Sequence, residues 1–560
     1  MTSTVAAGDP AGGRRPPHQS PEAHLPTFAL PRLERKWWTL IAVCTAIFML
    51  LLDITVVNVA LPDIQRSLHA TFSDLQWVVD AYSLTLAAFM LTAGVIGDMF
   101  GRREVFAIGL GVFSLSSLVC GLSVDSLMLN LARGCQGVGG AIMFATSLAL
   151  IAQAFRGRER GTAFGIYGAV VGGAVAVGPL IGGAITSGIG WRWIFFVNVP
   201  IGICAIALTL AKIDESRDPS RHRVDWPGFA TFSGSLFLLV FALVRANTDG
   251  WHSSVIVGLL AGAAVLMAAF VAAELRQRDP MLDLSLFRRP AMVGVSIAAF
   301  AISASIFAMF LYLTLYLQDD LGYSPLAAGL RFLPITMLSF FVAPLAGRLT
   351  VRLPARGLLG AGLVVIGIGC ILMSFTVPGS TWTVLLPGFV VAGFGVGTMS
   401  PVLASAAVGV VAPERSGMAS GINNTFRQVG IATGIAGLGA VFQSQMQHGV
   451  TGALLATAAG RHAARAHGAV LATAMISGQV RTAVRRWPPA QAHAVLHAYA
   501  QGFSSTLDHL MLIAAVVALV GGVLAAVLVR QRDFVPTGRP AASGPGGGPD
   551  RAAAPAVADA

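Results

Sequence analysis

Charge is scarce in this chain. Asp, Glu, Lys and Arg make up 11% of its 560 residues, whereas about 25% is usual for a soluble domain. Apolar residues make up 55%, and the mean hydropathy is +0.73. So few charged side chains cannot cover a protein surface that faces water. Lipid must therefore cover most of the surface of this protein. The composition therefore predicts an integral membrane protein.

Lysine and cysteine are also scarce. Lys36 and Lys212 are the two lysines, so the formal net charge of +11 comes mainly from arginine. The arginines lie in short segments between apolar runs, which indicates orientation signals and not a nucleic-acid surface. The five cysteines lie inside apolar runs without metal-ligand spacing, so we expect no metal site. A nucleotide-binding loop and a nucleophile motif are absent too, which argues against a membrane enzyme.

Fourteen apolar runs follow one another along the chain, and a helix of about 20 residues is long enough to cross a bilayer. An even number of spans places both termini on the same side of the membrane. The predicted spans are 38–61, 75–96, 105–122, 127–152, 162–187, 194–211, 226–244, 255–273, 292–317, 326–349, 358–377, 384–411, 418–442 and 510–529.

The positions of Lys and Arg test this count, because cytoplasmic loops carry an excess of both. With the N terminus in the cytoplasm, 26 of the 37 lie on the cytoplasmic side. Arg66, Arg192 and Arg245 lie in the short external segments, and Arg331 lies near the external end of span ten. This asymmetry predicts a multi-pass protein of the cytoplasmic membrane with both termini cytoplasmic.

Three segments lie outside the predicted spans. The Pro-, Gly- and Ala-rich ends, 1–37 and 533–560, are predicted to be disordered cytoplasmic tails, and the first lacks the pattern of a cleaved signal peptide. The segment 443–505 is predicted to be an extracytoplasmic loop with helical stretches. It is interpreted either as a solvated helical hairpin without a transport role or as a cap that gates the transport path.

Apart from Arg331 and Arg348 near the two ends of span ten, four charged residues lie inside the predicted spans: Asp53, Asp80, Arg133 and Arg427. Each needs a reason, because a charge at mid-membrane costs about 2.5–3.5 kcal/mol. At about 1.5 Å per residue, Asp53, Asp80 and Arg133 fall in one layer of the outer half. Two acids and one base there are expected to form a cluster with a surplus negative charge, which suits proton coupling. The alternative is a structural ion pair between Asp53 and Arg133.

Two further patterns concern packing and motion. Span five carries a small-residue stripe that lets another helix approach closely, and a proline that bends the helix. We interpret the stripe as packing combined with a bend that serves transport, and packing alone is the alternative. The stripe comprises Gly168, Gly172, Gly178, Pro179, Gly182 and Gly183.

A glycine turn with one acid and two bases follows span two. It is either an orientation signal or a cytoplasmic latch, in which the acid lies near a helix N terminus. The predicted latch residues are Gly94, Asp98, Gly101, Arg102 and Arg103.

Four stretches together resemble the major facilitator superfamily, in its fourteen-span drug:proton antiporter family. They are 52–62, 94–103, 131–139 and the glycine run 168–183 with Gly178-Pro179, a motif associated with exporters. The resemblance implies an all-α membrane fold of two six-helix bundles, 38–211 and 292–529, with two inserted helices at 226–273. It also implies alternating access driven by a proton gradient, without a cofactor.

The resemblance assigns roles to residues as well. It implies proton coupling for Asp53 and Arg133, and a latch in which Asp98 faces the start of span thirteen at 413–417. In span thirteen, Asn423 and Asn424 share a helix face with Arg427, and this stripe either lines a cavity or holds helices together. The cavity candidates are Asn58, Gln136, Asn423, Asn424 and Arg427.

The predicted function is proton-coupled export of drug-like or antibiotic compounds, with protons, membrane lipid and a small amphipathic substrate as partners. Some relatives that expel cationic drugs carry acids in the later spans. Spans ten to thirteen have none here, and Arg331 and Arg427 are present instead, which disfavours a doubly cationic substrate. A proton-coupled transporter of a specific metabolite is the main alternative. A channel is disfavoured because no segment resembles an ion filter.

Overall fold

Long helices build the computed structural model, which describes residues 34–155, 157–216, 225–277, 280, 282–350, 353–411, 416–476 and 480–534. In these ranges no residue forms a strand. The first half comprises α1 (Arg35–Leu68), α2 (Phe72–Phe100), α3 (Arg102–Gly121), α4 (Ser126–Ala154), α5 (Gly157–Gly188), α6 (Trp193–Phe196) and α7 (Asn198–Lys212). Next come α8 (Trp226–Asp249) and α9 (Ser254–Arg276).

The second half begins with one continuous helical rod, Pro290–Asp320. It consists of α10 (Pro290–Ile302), a π-helical segment Ser303–Phe307, α11 (Ala308–Leu315) and a second π-helical segment Tyr316–Asp320. The remaining helices are α12 (Pro325–Leu349), α13 (Ala355–Met373), α14 (Leu386–Gly409), α15 (Ser416–Ala456), α16 (Ala458–Ile476), α17 (Val480–Ala483) and α18 (Pro489–Leu528). Short 3-10 turns lie at Leu284–Arg288, Trp382–Leu385, Val484–Arg486 and Gln531–Asp533.

Twelve of the described helices are long and apolar enough to cross a membrane, so the chain is a multi-pass membrane protein. The two predicted spans outside these twelve lie in α2 and α15, which have 29 and 41 residues. The number fourteen therefore stays a prediction. A helix suits this setting because it satisfies its own backbone hydrogen bonds in lipid.

Polar caps fix where several helices begin. The Thr71 hydroxyl accepts from the Asp74 amide at 3.2 Å, and the Asp74 carboxylate accepts from the Thr71 amide at 2.8 Å, which closes a capping box at α2. Asp125 caps α4 by accepting from the Met128 amide at 2.7 Å. These caps satisfy amides that the first helical turn leaves free.

Both predicted tails are slightly too long. α1 begins at Arg35, and Asp533 ends a 3-10 turn in which its carboxylate accepts from the Ala291 amide at 3.2 Å, at the start of α10. Arg35–Trp37 and Asp533 are therefore part of the helical structure, because hydropathy marks the lipid boundary and not the helix end. Residues 1–33 and 535–560 lie outside the described part.

The segment 443–505, predicted to be a loop with helical stretches, is mostly helical in its described part. α15 continues to Ala456, α18 begins at Pro489, and α16 and α17 lie between them. Arg481 donates from Nε to the Asp319 carbonyl at 3.1 Å and from Nη2 to the Asp320 carbonyl. The segment thus contacts the end of the rod Pro290–Asp320, where helix carbonyls lack intrahelical partners.

Helix pairs connect the first half to the second. We call the side at which α1 begins the inner side and the opposite side the outer side. α5 packs on α12, α2 packs on α15, and α1 packs on α11, while α8 packs on α9, α15 and α2. These pairs place the charged residues of α1, α2 and α4 close to the boundary between the halves.

Candidate transport site

A buried ion pair joins α1 to α4. Arg133 Nη1 donates to Asp53 Oδ2 at 2.5 Å, and the two side chains are 1% and 0% exposed. Arg133 Nε also donates to the carbonyl of Val78 in α2 at 3.0 Å, and its guanidinium lies 4.2 Å from the centre of the Tyr82 ring. The pair is neutral as a whole, which is the condition under which charges persist away from water.

Neutral polar side chains complete the network around Asp53. Gln136 Nε2 donates to Asp53 Oδ1 at 3.1 Å, while Gln136 Oε1 accepts from Arg133 Nη1 at 2.7 Å. Asn198 Nδ2, at the start of α7, donates to Asp53 Oδ1 at 3.3 Å and to Ser117 Oγ in α3 at 3.0 Å. Side chains of α1, α4 and α7 thus meet at one carboxylate, and Ser117 of α3 joins the network through Asn198. Asn198, Ser117 and Tyr82 were not among the residues predicted from the sequence.

Asp80 lies apart from this network. Its side chain is fully buried, and neither carboxylate oxygen has a hydrogen-bond partner among the described residues. One turn earlier on α2, Gln76 Nε2 donates to the carbonyl of Ile435 in α15 at 3.1 Å, and Tyr312 donates to the same carbonyl at 2.7 Å. The expected three-residue cluster is therefore a neutral pair plus a separate, unpaired acid near the boundary between the halves.

The predicted cavity residues divide into two groups. Gln136 is fully buried in the ion-pair network and Asn423 is 6% exposed, so neither presents an open surface. Asn58, Asn424 and Arg427 keep partial exposure. Asn58 Nδ2 donates to Ile54 of its own helix at 3.1 Å, and the Arg427 guanidinium lies 5.6 Å from the centre of the Phe307 ring.

The glycine stripe of α5 lets the outer half of that helix pack closely against α1 and α12. A Cβ on Gly178 would lie 1.8 Å from Thr55 Oγ1, and one on Gly182 would lie 2.9 Å from the Val56 Cα, both in α1. A Cβ on Gly183 would lie 2.5 Å from the Pro325 carbonyl oxygen in α12, and one on Gly329 would lie 2.3 Å from the Pro179 carbonyl oxygen. Side chains at these positions would push the helices apart.

The inner half of α5 is looser. A Cβ on Gly172 would only touch Phe340 at 3.7 Å, and one on Gly168 would meet nothing within 4 Å. At the outer side, by contrast, Gln318 Nε2 of the rod donates to the Val59 carbonyl of α1 at 2.6 Å. We therefore infer that the described state is closed on its outer side.

The predicted latch is only partly described. Glu215, after α7, accepts from the amides of Arg103 and Glu104 at 3.0 and 3.1 Å and so caps α3. The Arg102 amide donates to the Ser216 carbonyl at 3.0 Å, and a Cβ on Gly94 would meet Ala145 at an ordinary 3.9 Å. The Asp98 side chain and residues 412–415, opposite which it was predicted, lie outside the described part.

Gly101→Ala is expected to destabilise the turn that holds α3. Gly101 has φ +117°, and an added Cβ would lie 2.8 Å from the Glu215 carboxylate carbon. Such backbone strain costs about 1–3 kcal/mol. The melting temperature of the purified variant should fall, whereas Gly94→Ala should leave it unchanged. An equal melting temperature for both variants would show that the turn tolerates a side chain.

The family model of the Major Facilitator Superfamily matches residues 43–435. The chain belongs to this superfamily. The match covers the ion pair, Asp80, the glycine stripe and Arg427.

Relatives in the superfamily cover most of the chain. The multidrug resistance protein Stp of Mycobacterium tuberculosis is 38% identical over 72% of this chain and 75% of its own length. The puromycin resistance protein of Streptomyces alboniger is 36% identical over 81% and 91%. The tetracenomycin C resistance and export protein of Streptomyces glaucescens is 32% identical over 77% and 80%. These similarities identify a membrane transporter.

Solved structures support the fold. A bacterial homologue of the human lysosomal transporter Spinster, in an inward-facing and occupied conformation, matches with a TM-score of 0.60 and 16% sequence identity. The match covers 90% of this chain and 99% of that structure. The predicted all-α major facilitator fold is thereby confirmed.

Proposed function

We propose that this transporter is a proton-coupled antiporter that exports drug-like or antibiotic compounds across the cytoplasmic membrane by alternating access, with both termini cytoplasmic. The observation that carries the proposal is a fully buried carboxyl group without a partner, that of Asp80, beside a neutralised Asp53–Arg133 pair. In this proposal Asp80 and Asp53 serve different steps of the transport cycle.

Asp80 is the group that suits proton binding. An ionised carboxylate out of water and without a partner costs several kcal/mol, so burial favours the neutral, protonated acid. Gln76 lies one turn away and bonds the Ile435 carbonyl across the boundary between the halves. Separation of α2 from α15 on the outer side would hydrate Asp80 and let it exchange protons there. Closure would then trap the proton.

The Asp53–Arg133 pair suits the conformational step. Its members lie on α1 and α4, and Arg133 also bonds α2 through the Val78 carbonyl. Protonation of Asp53 would remove the negative charge that holds the guanidinium and leave a buried, uncompensated cation. Such a change costs several kcal/mol in a low-dielectric interior, which is enough to shift the balance between two helix arrangements.

The substrate class is taken from the relatives' names. Those names include resistance to puromycin and the export of tetracenomycin C. One proton that crosses 100 mV supplies about 2.3 kcal/mol, more than a tenfold concentration gradient requires. A secondary exporter of such compounds is therefore energetically adequate.

The proposal is tested in a bacterial host without its own drug pumps. Expression of the chain should raise resistance to some members of an antibiotic panel that includes puromycin and tetracenomycin C, and a proton uncoupler should abolish the efflux. In proteoliposomes, an imposed pH gradient should drive the same transport. Uptake of the compounds, or efflux that an uncoupler leaves intact, would refute the proposal.

Asp80→Asn is expected to reduce efflux driven by a pH gradient while leaving the protein folded. Asn has nearly the same shape and needs no proton to be neutral, so it fits the buried site. Efflux should lose most of its dependence on the gradient. Gln76→Leu is the matched control, since it removes the contact with Ile435 but keeps the acid. Unchanged gradient dependence in Asp80→Asn would remove Asp80 from proton coupling.

A further inference from the structure

Arg427 is a cation inside the second half without an anion beside it. It lies nine residues into the predicted span 418–442, so about 13 Å from the inner end of that span. Its guanidinium lies 5.6 Å from the centre of the Phe307 ring, and in the described part no residue forms an ion pair or a hydrogen bond with it. Its side chain is nevertheless partly exposed.

The sequence explains why no acid reaches Arg427 in this state. The acids in 292–529 are Asp319, Asp320, Glu414 and Asp508, and all four lie outside the apolar runs. The second half therefore has no carboxylate at the depth of Arg427. Since an arginine keeps its charge in a protein, this part of the second half is permanently cationic.

Two other arginines of the apolar region have closer contacts than Arg427, although Nε of Arg331 has no partner among the described residues. Arg133 pairs with Asp53. Arg331 lies 3.5 Å from the centre of the Tyr323 ring and donates to the Ala327 carbonyl at 2.8 Å. Arg427 has only the ring contact, at a longer distance. An arginine that a membrane protein keeps in its interior is normally paired, so the missing partner of Arg427 is best supplied from outside the chain.

The local backbone presents Arg427 beside an aromatic wall. α15 packs closely on the π-helical segment Ser303–Phe307, where a Cβ on Gly434 would lie 2.8 Å from the Ala304 Cα. A π-helical segment is uncommon and is frequent at functional sites. It carries Phe307, whose partly exposed ring stands beside the guanidinium. A planar aromatic group can lie on this ring while an acid group meets Arg427.

Asn423 adds a second polar feature. It lies one turn before Arg427 on the same helix face, is 6% exposed, and its amide oxygen has no donor among the described residues. This oxygen is buried in the described state, so it marks an unsatisfied polar site beside Arg427 and not an open ligand contact. The accessible groups are the Arg427 cation and the Phe307 ring, and together they describe an aromatic acid.

We infer that Arg427 is a specificity-determining residue that binds the acid group of an anionic aromatic substrate. The inference rests on the proposed export function and narrows its substrate class from drug-like compounds to amphipathic acids. A carboxylate meets the guanidinium fork through two parallel hydrogen bonds, which a neutral ester cannot form.

The test uses purified full-length protein and two probes, pyrenebutyric acid and its methyl ester, at neutral pH. The wild type should bind the acid about tenfold more tightly than the ester, the usual scale of a charge-assisted hydrogen bond. Arg427→Gln should remove this preference, and Arg427→Lys should keep part of it because the charge remains. Arg331→Gln, whose arginine already has partners, should keep all of it.

Equal binding of the two probes by the wild type, or a preference that survives in Arg427→Gln, would overturn the inference. Proteoliposome export separates this result from the proposed function. A wild type that exports the ester under a proton gradient but shows no preference for the acid overturns the inference alone. A wild type that exports neither probe nor any member of the antibiotic panel refutes the export function itself.

Discussion

Asp53→Asn is expected to abolish efflux driven by a proton gradient, although the protein still reaches the membrane. Asn keeps an oxygen that can accept from Gln136 and Asn198, so the polar network retains its shape. The charge next to Arg133 is lost, and so is the group that can take up a proton at this position. Arg133→Ala should have the same effect, because without its cation the buried Asp53 carboxyl group favours the neutral form and no longer releases a proton.

Loss of stability must be separated from loss of coupling. Removing one member of a buried ion pair costs about 3–5 kcal/mol, since the other charge stays behind. The double variant Asp53→Asn with Arg133→Gln contains no buried charge at this site, so its melting temperature should recover towards that of the wild type. Its gradient-driven efflux should remain absent.

Two transport assays complete the test. Efflux under a pH gradient reports coupling, whereas exchange of labelled for unlabelled substrate at equal pH reports binding and the conformational change alone. We expect Asp53→Asn to lose efflux driven by the pH gradient and to keep at least part of the exchange at equal pH. Efflux at the wild-type rate with the usual pH dependence, in either the single or the double variant, would assign the pair a purely structural role.

The ion pair was predictable from the sequence, because a charge in an apolar run needs a partner at a similar depth. Asp53 and Arg133 met that condition, and the structure brings them together. Asn198 and Ser117 carry no charge, so their presence in apolar runs gave no signal. Only the three-dimensional path of α3 and α7 shows that Asn198 reaches the Asp53 carboxylate and that Ser117 accepts a hydrogen bond from Asn198.

The separation of Asp80 from this pair was not predictable from depth alone. Tyr82 faces Arg133, and Asp80 lies two residues earlier, which is about 200° around the helix. The side chains of Asp80 and Tyr82 lie at a similar depth on α2 but therefore point in nearly opposite directions. The rotation of α2 about its axis depends on packing against α4 and α15, which a single sequence does not reveal.

The parts of the helices that extend past the predicted spans were only partly predictable. Apolar runs measure the thickness of the hydrocarbon layer, and α15 passes the end of its run by fourteen residues, from Phe442 to Ala456. Gln443 and His448 ended the apolar pattern without ending the helix. Hydropathy therefore located the spans, whereas the helix ends depended on caps and on contacts such as that of Arg481.

Gly183→Val is expected to open the outer side of the transporter. An added Cβ would lie 2.5 Å from the Pro325 carbonyl oxygen and 2.8 Å from the Leu326 Cα. Both are backbone atoms at the start of α12, so no side-chain rotation relieves the contact. α12 must move away from α5, and these two helices belong to different halves of the molecule.

The matched control is Gly168→Val on the same helix. A Cβ there meets nothing within 4 Å, so both variants introduce the same side chain and the same loss of helix propensity. Overpacking costs about 1–3 kcal/mol, which corresponds to a roughly 5- to 150-fold shift between two conformations. Only Gly183→Val should show that shift.

Spin labels at Ile189 and Thr383, in a cysteine-free background, measure the opening. Ile189 follows the end of α5 and Thr383 precedes α14, and both are exposed on the outer side. The distance distribution should move to longer values in Gly183→Val and stay at the wild-type position in Gly168→Val. Efflux should fall only in Gly183→Val, since closure on the outer side is required before the substrate can enter from the inner side.

Identical distance distributions and equal efflux in the two variants would show that α12 accommodates a side chain at Gly183. The outer half of the glycine stripe would then act in packing alone, and the closure of the outer side would depend on other contacts such as the bond from Gln318 to Val59.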